Sequence, residues 1–366
     1  MFCHSEALTG ADTRGDVMAN YKAVVVGCGQ RSQPHIQAYD LLDGAEIVAC
    51  CDPVTEAREE RAREFGIAPY ADTEEMIRQE KPDIVHLVTW QDTRVPLMTL
   101  VSDLGVPACT VEKPIAVEVR DWNALCELER ASSTKFAVSH QYRWHPHLSK
   151  CIEAVRSGQL GDVLFLDLSS RMNVSAQGTH LLHYGMAMNG DYRVARVFGN
   201  VSDSSEMDWE YAAPCHTEAS IQWENGARGL WLNSPTAPTC GLQDQDYSHV
   251  RVAAYCERGR VCWEEFGHWQ IVSPDGIEEG DWGGTVEEHT WNNLRAQAAF
   301  HKSVIRWMDD DNAICETSLE RSLHEWKAVL ALYASALWRK PVDLVDFNPP
   351  ETLWDDLRAA LDQEIT

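Results

Sequence analysis

Two glycines and an aspartate near the start of the chain have the types and order of a nucleotide-binding turn. Gly27 and Gly29 follow a short apolar run, and Ser32 completes a G-x-G-x-x-S pattern. Gly27 can adopt a φ angle that other residues avoid, and Gly29 lets the backbone approach a pyrophosphate closely. Asp52 ends the next apolar run, where a carboxylate can bind a ribose hydroxyl. The pattern predicts a dinucleotide site; an ordinary strand-to-helix turn of another parallel-sheet protein is the alternative.

The same carboxylate indicates which dinucleotide would bind. A 2′-phosphate would meet the negative charge of Asp52. No arginine follows it directly, since Pro53 comes next and Arg58 lies in the following predicted helix. We therefore expect NAD, with NADP the less favoured cofactor.

A lysine in the triplet Glu112-Lys113-Pro114 is a second group that could do chemistry. Proline stiffens the turn, and the residue before it is kept extended. A lysine held over a nicotinamide could hydrogen-bond a substrate hydroxyl and, with a tuned pKa, take part in proton transfer. A solvated lysine in a surface loop is an equal alternative, because most lysines are exposed.

Strands and helices alternate between residues 21 and 139, which predicts a parallel sheet with helices on both faces. Right-handed crossovers bring the carboxyl ends of all such strands to one edge, where ligands bind. That edge would collect Gly27–Ser32, Asp52, Thr89-Trp90 and Glu112–Pro114. The fold class predicted for this part is an α/β Rossmann dinucleotide-binding domain.

Beyond residue 140 the chain changes to longer strand-like runs with few helices between them. This pattern predicts an α+β domain with a large, mainly antiparallel open sheet, one face of which can be free for a partner subunit. We divide the chain into a flexible N-terminal tail (1–20), a Rossmann NAD-binding domain (21–139), an α+β substrate and oligomerisation domain (140–345) and an acidic C-terminal segment (346–366).

The bulk composition argues against several partners. The 366 residues include 57 acidic and 31 basic side chains, and a net charge of −26 disfavours nucleic acid and anionic membranes. No apolar run reaches the length of a membrane span, and the N-terminus lacks the apolar core of a signal peptide. The twelve cysteines form no CxxC pair and no metal-ligand spacing, so we expect a reducing cytoplasm and predict no metal site.

Six ordered blocks of sequence between residue 21 and about residue 190 form a distinctive series. They are VVVGCGQRSQPH with CDP, KPDIVHLVT, VEKPIAV, SHQYRWHPH, SGQLGDV and QGTHLLHYGMAMNG. In this order they resemble the glucose–fructose oxidoreductase / inositol dehydrogenase family, Gfo/Idh/MocA. The resemblance implies hydride chemistry with NAD or NADP on a sugar, cyclitol or related polyol. It also implies a sheet domain that often forms oligomers (here a dimer or tetramer), and a Lys113 that lies against the substrate hydroxyl.

The second catalytic block of that family is D-x-x-x-H-x-x-D, and this chain departs from it. His180 takes the histidine position, but Ala176 and His183 replace the two acids. His180 could act as acid or base with Lys113, because histidine titrates near neutral pH. His180 and His183 lie one helical turn apart and could instead bind a metal with a third ligand from elsewhere. For His183, a packed polar side chain is equally expected.

The predicted site residues follow from the sheet edge and from the resemblance. The catalytic pair is Lys113 and His180. The cofactor-binding residues are Gly27, Gly29, Gln30, Arg31, Ser32, Asp52, Thr89, Trp90, Glu112 and Lys113. The substrate-binding residues are Lys113, Tyr142, Arg143, His180 and His183. Trp90 could wall the nicotinamide, stack on a sugar or simply fill space.

Three functions are compatible with these residues. The first is an NAD(P)-dependent oxidoreductase acting on a sugar or polyol hydroxyl. The second is a glycosidase or lyase that oxidises a sugar transiently and restores its NAD, with a metal bound through His180 and His183 as an option. The third is a non-catalytic NAD-binding sensor, which the missing acid favours slightly and the retained Lys113 and His180 disfavour.

Overall fold

The computed structural model describes residues 21–238, 249–281 and 285–364. The predicted N-terminal tail, 1–20, lies outside the described residues. Within them, two sheets and ten α-helices follow one another along the chain.

The first sheet is parallel throughout and has the strand order β3-β2-β1-β4-β5-β6. Its strands are β1 Tyr21–Val26, β2 Ala45–Cys51, β3 Ala68–Tyr70, β4 Ile84–Leu87, β5 Ala108–Val111 and β6 Lys135–Val138. The central strands β4 and β5 are buried along their whole length, including His86 and Thr110, because helices cover both faces. The strand order reverses between β1 and β4, which opens the ligand-binding crevice at their carboxyl ends.

The connecting helices begin and end where local chemistry requires. They are α1 Ser32–Gln37, α2 Thr55–Phe65, α3 Thr73–Glu80, α4 Arg94–Asp103 and α5 Val119–Ala131. Asp72 accepts a hydrogen bond from the backbone N–H of Glu75 and so caps α3. Gly66, with φ of +68°, ends α2. The predicted Rossmann architecture is confirmed.

The second sheet has nine strands in the order β14-β13-β12-β11-β7-β10-β9-β8-β15. They are β7 Val163–Ser170, β8 Val194–Ser202, β9 His216–Trp223, β10 Arg228–Asn233, β11 Val250–Cys256, β12 Gly259–Glu264, β13 His268–Ser273, β14 Gly276–Asp281 and β15 Val342–Asp343. Among the described strand pairs, β7 with β10 is parallel and the others are antiparallel. This confirms the predicted large, mainly antiparallel sheet.

The remaining helices cover one face of this sheet and return to the first. They are α6 Pro146–Arg156, α7 Thr179–Met188, α8 Val286–Asp309, α9 Leu319–Trp338 and α10 Leu353–Glu364. Every residue of α7 is buried, and His180 keeps 6% of its surface exposed. No helix within the described ranges combines the length and the apolar character that crossing a membrane requires.

Helix α8 ties the C-terminal half of the chain to the first sheet. Its Phe300 and Val304 pack with Ala23, Ile84 and Ala137 of the parallel strands. The chain then crosses the sheet edge and enters α9. Residues far apart in sequence therefore pack together, since α8 of the predicted second domain covers strands of the first sheet.

Candidate active site

The two glycines of the turn after β1 differ in their surroundings: a side chain would clash at Gly27, whereas Gly29 lies next to open space. A Cβ at Gly27 would lie 2.2 Å from the carbonyl oxygen of Val88, and its φ is +96°. A Cβ at Gly29 would meet no atom within 4 Å, so the backbone there is bare. The buried Ser32 donates its hydroxyl to the carbonyl of Gly29 across 2.7 Å, and Gln30 is exposed. The open space at Gly29 and the hydrogen bond from Ser32 that stabilises the turn are both suited to binding a pyrophosphate.

Asp52 stands beside this turn at the end of β2. One carboxylate oxygen accepts from the backbone N–H of Cys28 and the other from that of Val54, both at 2.8 Å. Each oxygen keeps a further lone pair, so the carboxylate can also accept from ribose hydroxyls. The guanidinium of Arg58 donates to the backbone carbonyls of Asp52 and Pro53.

Glu112, buried at the end of β5, joins the glycine turn to the lysine. Its Oε1 accepts from Nε of Arg31 at 3.0 Å and lies 2.9 Å from Nε2 of His35. Burial alone would raise the pKa of Glu112, but the charge of Arg31 and the hydrogen bond from His35 hold it well below its usual range. Gln297 of α8 accepts from Arg31 at 3.1 Å. Sequence reasoning missed His35 and Gln297; nothing local in the sequence marks Gln297, which lies 266 residues from Arg31.

Lys113 reaches from the first sheet toward the second half of the chain. Its Nζ donates to the carbonyl oxygen of Ala176 at 2.6 Å and lies 4.4 Å from the ring centroid of Tyr211. Burial lowers the pKa of Lys113 to about 8. Beneath it, the buried guanidinium of Arg94 donates to the carbonyls of Lys113 (3.1 Å) and Thr89 (3.4 Å).

A wide turn of the π type, Val174–Gly178, presents the Ala176 carbonyl to the lysine. Asn173 caps this turn by accepting from the backbone N–H of Ala176 at 2.9 Å. The same Asn173 donates its amide to the carbonyl of Tyr211 at 2.9 Å. Asn173 therefore fixes both groups that contact the ammonium of Lys113.

His180 lies on the first turn of α7, directly after this wide turn. Its Nδ1 is 2.9 Å from Nδ1 of His140 and 3.1 Å from the hydroxyl of Tyr184. Burial, and after it the nearby His140 and Lys113, lower the pKa of His180 well below its ordinary value. At neutral pH His180 is therefore an uncharged imidazole, the form that accepts a proton.

His183 points away from His180 toward α9. Its Nδ1 lies 2.7 Å from Oε1 of Glu325, and its ring stacks on that of His140 at 4.5 Å. His140 Nε2 lies 3.0 Å from the other oxygen of Glu325. These separations are hydrogen-bond distances, shorter than the roughly 3.3 Å between two ligands of a tetrahedral zinc. His180 and His183 therefore turn to different partners, His140 and Glu325.

Two predicted substrate residues have protein partners. The Tyr142 hydroxyl donates to Glu265 at 2.7 Å, and its ring stacks near Tyr184. The buried Arg143 forms a two-bond ion pair with Asp191, at 2.9 and 3.0 Å. The structure therefore brings Tyr142 to the neighbourhood of His180 but commits the guanidinium of Arg143 to Asp191.

Three aromatic side chains stand beside Lys113 at the mouth of the crevice. Trp90 and Trp209 are 55% and 41% exposed, and each ring lies edge-on to the ring of Tyr211, at 6.5 and 5.4 Å. We call Trp90, Trp209 and Tyr211 the aromatic wall. Thr89, at its base, accepts from the Thr93 hydroxyl. Trp209 and Tyr211 lie in the connection between β8 and β9, so no sequence signal placed them at the site.

Comparison with known proteins places the first sheet in a described family. Residues 21–140 match the model of an oxidoreductase family with an NAD-binding Rossmann fold. D-apiose dehydrogenase of Paraburkholderia graminis is 29% identical over 203 residues, which cover 50% of this chain and 54% of that protein. The chain thus spans about half the length of that relative. The scyllo-inositol 2-dehydrogenase (NAD(+)) of Bacillus subtilis is 22% identical over 59% of this chain and 68% of that protein.

Solved structures extend the likeness to both sheets. An oxidoreductase from Agrobacterium radiobacter, in complex with NAD+, L-tartaric acid and magnesium, has a TM-score of 0.76 at 18% identity. The match covers 89% of this chain and 99% of that one. The WlbA dehydrogenase of Bordetella pertussis, in complex with NADH and UDP-GlcNAcA, has a TM-score of 0.69 at 18% identity, covering 88% and 98%. The matched model places the Rossmann part of the chain, residues 21–140, in the Gfo/Idh/MocA oxidoreductase family, and the solved structures share the two-sheet fold.

Proposed function

We propose that this protein is an NAD-dependent oxidoreductase that acts on a hydroxyl group of a sugar, cyclitol or related polyol. The observation that carries the proposal is the contact between Lys113 and the turn that leads into His180. It puts an ammonium and a neutral imidazole at the carboxyl edge of the sheet that holds the glycine turn. Such a pair suits a reaction in which an alcohol loses a proton while its carbon loses a hydride.

The residues around the glycine turn fit NAD. The bare backbone at Gly29 would face the pyrophosphate, and the carboxylate of Asp52 would accept from the ribose hydroxyls. Asp52 would repel a 2′-phosphate, and the Arg58 guanidinium is engaged with backbone carbonyls, so NADP is disfavoured. NAD, when bound, supplies the hydride acceptor.

The protein's own groups would handle the hydroxyl. The ammonium of Lys113 would donate a hydrogen bond to the substrate oxygen and stabilise the negative charge that develops there. Nε2 of His180, which has no hydrogen-bond partner among the described residues, would take the proton. In the reverse direction His180 would return that proton to the carbonyl oxygen.

The aromatic wall supports a cyclic carbohydrate or polyol as the substrate. The two exposed indole rings and the half-buried phenol ring of Tyr211 offer flat apolar faces against which the C–H side of a sugar ring can pack. The relatives named above include dehydrogenases of apiose and inositol, substrates of the same chemical class. Which sugar and which hydroxyl react would be decided by the shape of this wall.

A homo-oligomer completes the proposal. One face of the second sheet exposes Phe198, Leu230 and Tyr255, which are 49%, 53% and 43% exposed. Phe198 and Leu230 lie in one row across the sheet because both pair with Ser220. An apolar face of this kind fits a second copy of the chain. Light scattering of Leu230→Asp should show a lower mass than the wild type, which we expect to be a dimer or tetramer.

The decisive experiment is a screen of sugars and polyols in the presence of NAD, read by absorbance of the reduced nicotinamide and by product analysis. Steady formation of reduced cofactor and of a ketone or lactone would support the proposal. Glycoside cleavage without net cofactor turnover would favour the NAD-recycling glycosidase or lyase. Cofactor binding with no turnover of any compound would favour a non-catalytic sensor.

A further inference from the structure

We propose that Glu325 and His140 form a positioning relay that replaces the acidic partner missing at Ala176. The relay deepens the proposed function and rests on it, because His180 is the group it would orient. Glu325 lies on α9, His140 follows β6 and His180 lies on α7, so three elements contribute one residue each. The three residues are 40 or more positions apart in the chain, so only the fold brings them together.

The contacts of His140 decide where its proton lies. Oε2 of Glu325 lies 3.0 Å from Nε2 of His140, an ion-pair contact in which no hydrogen bond is formed. A bare nitrogen there would set its lone pair against those of the carboxylate, so Nε2 carries the proton. With this single proton on the ring, His140 presents Nδ1 as an acceptor. Since it lies 2.9 Å from Nδ1 of His180, that second nitrogen must be the N–H donor. His180 is thereby held as the tautomer whose Nε2 lone pair is free for the substrate.

His183 secures the far end of the relay. Its Nδ1 donates to Oε1 of Glu325 at 2.7 Å, so each carboxylate oxygen faces one imidazole. Burial opposes ionisation of Glu325, but the two imidazoles hold its pKa at about 2. The carboxylate therefore stays charged at every working pH. This assigns to His183 a supporting role in place of the predicted substrate contact.

The proton balance needs no further group. When the substrate O–H bond breaks, its proton forms a bond to Nε2 of His180, which becomes an imidazolium. Its Nδ1–H remains hydrogen-bonded to His140, and the Glu325 charge stabilises the cation through that ring. No proton has to reach Glu325. The hydride leaves with its electron pair to the oxidised nicotinamide named in the proposed function.

Several charged or titratable groups face His180 from the elements around it. They are His140, Lys113, Glu112, Arg31 and Tyr184, whereas Glu325 and His183 contact His140 on its far side. The relay predicts a proton on Nδ1 of His180, whereas a Tyr184 hydroxyl that donated to this nitrogen would leave the proton on Nε2. A tautomer measurement therefore tests it directly.

Nitrogen NMR of the full-length wild-type protein, with histidine labelled at both ring nitrogens, provides that test without relying on activity. The His180 signals are assigned by their loss in His180→Gln. We expect His180 to be protonated at Nδ1 and His140 at Nε2. Protonation of His180 at Nε2 would overturn the relay, whether or not the protein oxidises a polyol.

Kinetics of Glu325→Gln provide the second test. We expect kcat to fall about 10- to 100-fold, while KM and the Kd for NAD stay within twofold of wild type. In the plot of kcat against pH, we expect the ascending limb to move to lower pH. The limb moves because the imidazolium of His180 has lost its anionic support. Glu325→Asp should recover part of the rate.

Glu320→Gln, which changes an exposed carboxylate of the same helix, is the matched control. An unchanged rate and pH profile in Glu325→Gln would refute the relay, whereas failure of the wild type to bind NAD or turn over any polyol would refute the proposed function instead.

Discussion

The ammonium of Lys113 donates to the backbone carbonyl of Ala176 across 2.6 Å. In the family pattern that the sequence resembles, an acid stands at the position of Ala176; here the backbone of this residue contacts the lysine. A carbonyl carries no charge, so it neither raises the pKa of the lysine as an acid would nor accepts its proton. The pKa of Lys113 falls to about 8 because burial is left largely uncompensated.

This environment leads to a prediction about alkaline pH. The charged form of Lys113 is the one that stabilises a developing alkoxide, so kcat/KM should fall as pH rises through about 8. The guanidinium of Lys113→Arg stays charged well beyond the pH at which the lysine loses its proton. We expect the activity of this variant at pH 7 to be about 100-fold lower because its geometry is altered. Its kcat/KM should no longer fall as the pH rises through about 8.

The control for that prediction is Lys302→Arg, an exposed lysine on α8. Its pH profile should match the wild type. A descending limb that persists unchanged in Lys113→Arg would assign the limb to another group and contradict the role of the lysine.

The two glycines of the turn should respond to alanine in opposite ways. Gly27→Ala places a Cβ 2.2 Å from the Val88 carbonyl at a φ of +96°, so we expect the free energy of unfolding to fall by roughly 2–4 kcal/mol. The Cβ of Gly29→Ala would lie in open space, so the free energy of unfolding should be unchanged. Because this is the space where the pyrophosphate would approach the backbone, we expect NAD to bind about 10-fold more weakly. Denaturant unfolding and calorimetric binding measure the two effects. Equal loss of stability in both variants would contradict the division.

The first half of the fold was predictable because its signals are local. The strand Ala108–Val111, the helix Thr55–Phe65 and the turn at Gly27 each follow from residues close together in sequence. The parallel-sheet rule then brings Asp52 and Lys113 to one edge without any knowledge of packing.

The environment of the histidines was not predictable in the same way. Glu325 contacts His183 from 142 residues away, on a helix whose sequence marks only an apolar core. Arg143 likewise could not be assigned, because Asp191, which occupies its guanidinium, lies in a turn with no motif. The ligand edge of a sheet is set by topology, whereas buried polar partners are set by tertiary packing.

Cofactor choice should depend on the Asp52 carboxylate. In Asp52→Asn only one side-chain oxygen remains to accept, although two backbone amides and the ribose hydroxyls compete for it. We expect NAD affinity to fall about 10-fold and NADP affinity to rise relative to it, since the repulsive charge is gone. Binding titrations with both cofactors test this, with the exposed Asp103→Asn as the control. An unchanged NAD-to-NADP ratio would contradict the role of Asp52.

The aromatic wall allows the two proposed roles of Trp90 to be separated. If Trp90 and Trp209 stack on the substrate, Trp90→Ala and Trp209→Ala should each raise KM for the sugar about 5- to 30-fold, a loss of about 1–2 kcal/mol, and leave the Kd for NAD unchanged. If Trp90 instead walls the nicotinamide, Trp90→Ala should weaken NAD binding and Trp209→Ala should not. Trp291→Ala, a 48%-exposed tryptophan of α8, is the matched control and should change neither constant. Wild-type KM values in both wall variants would show that the carbohydrate is held elsewhere.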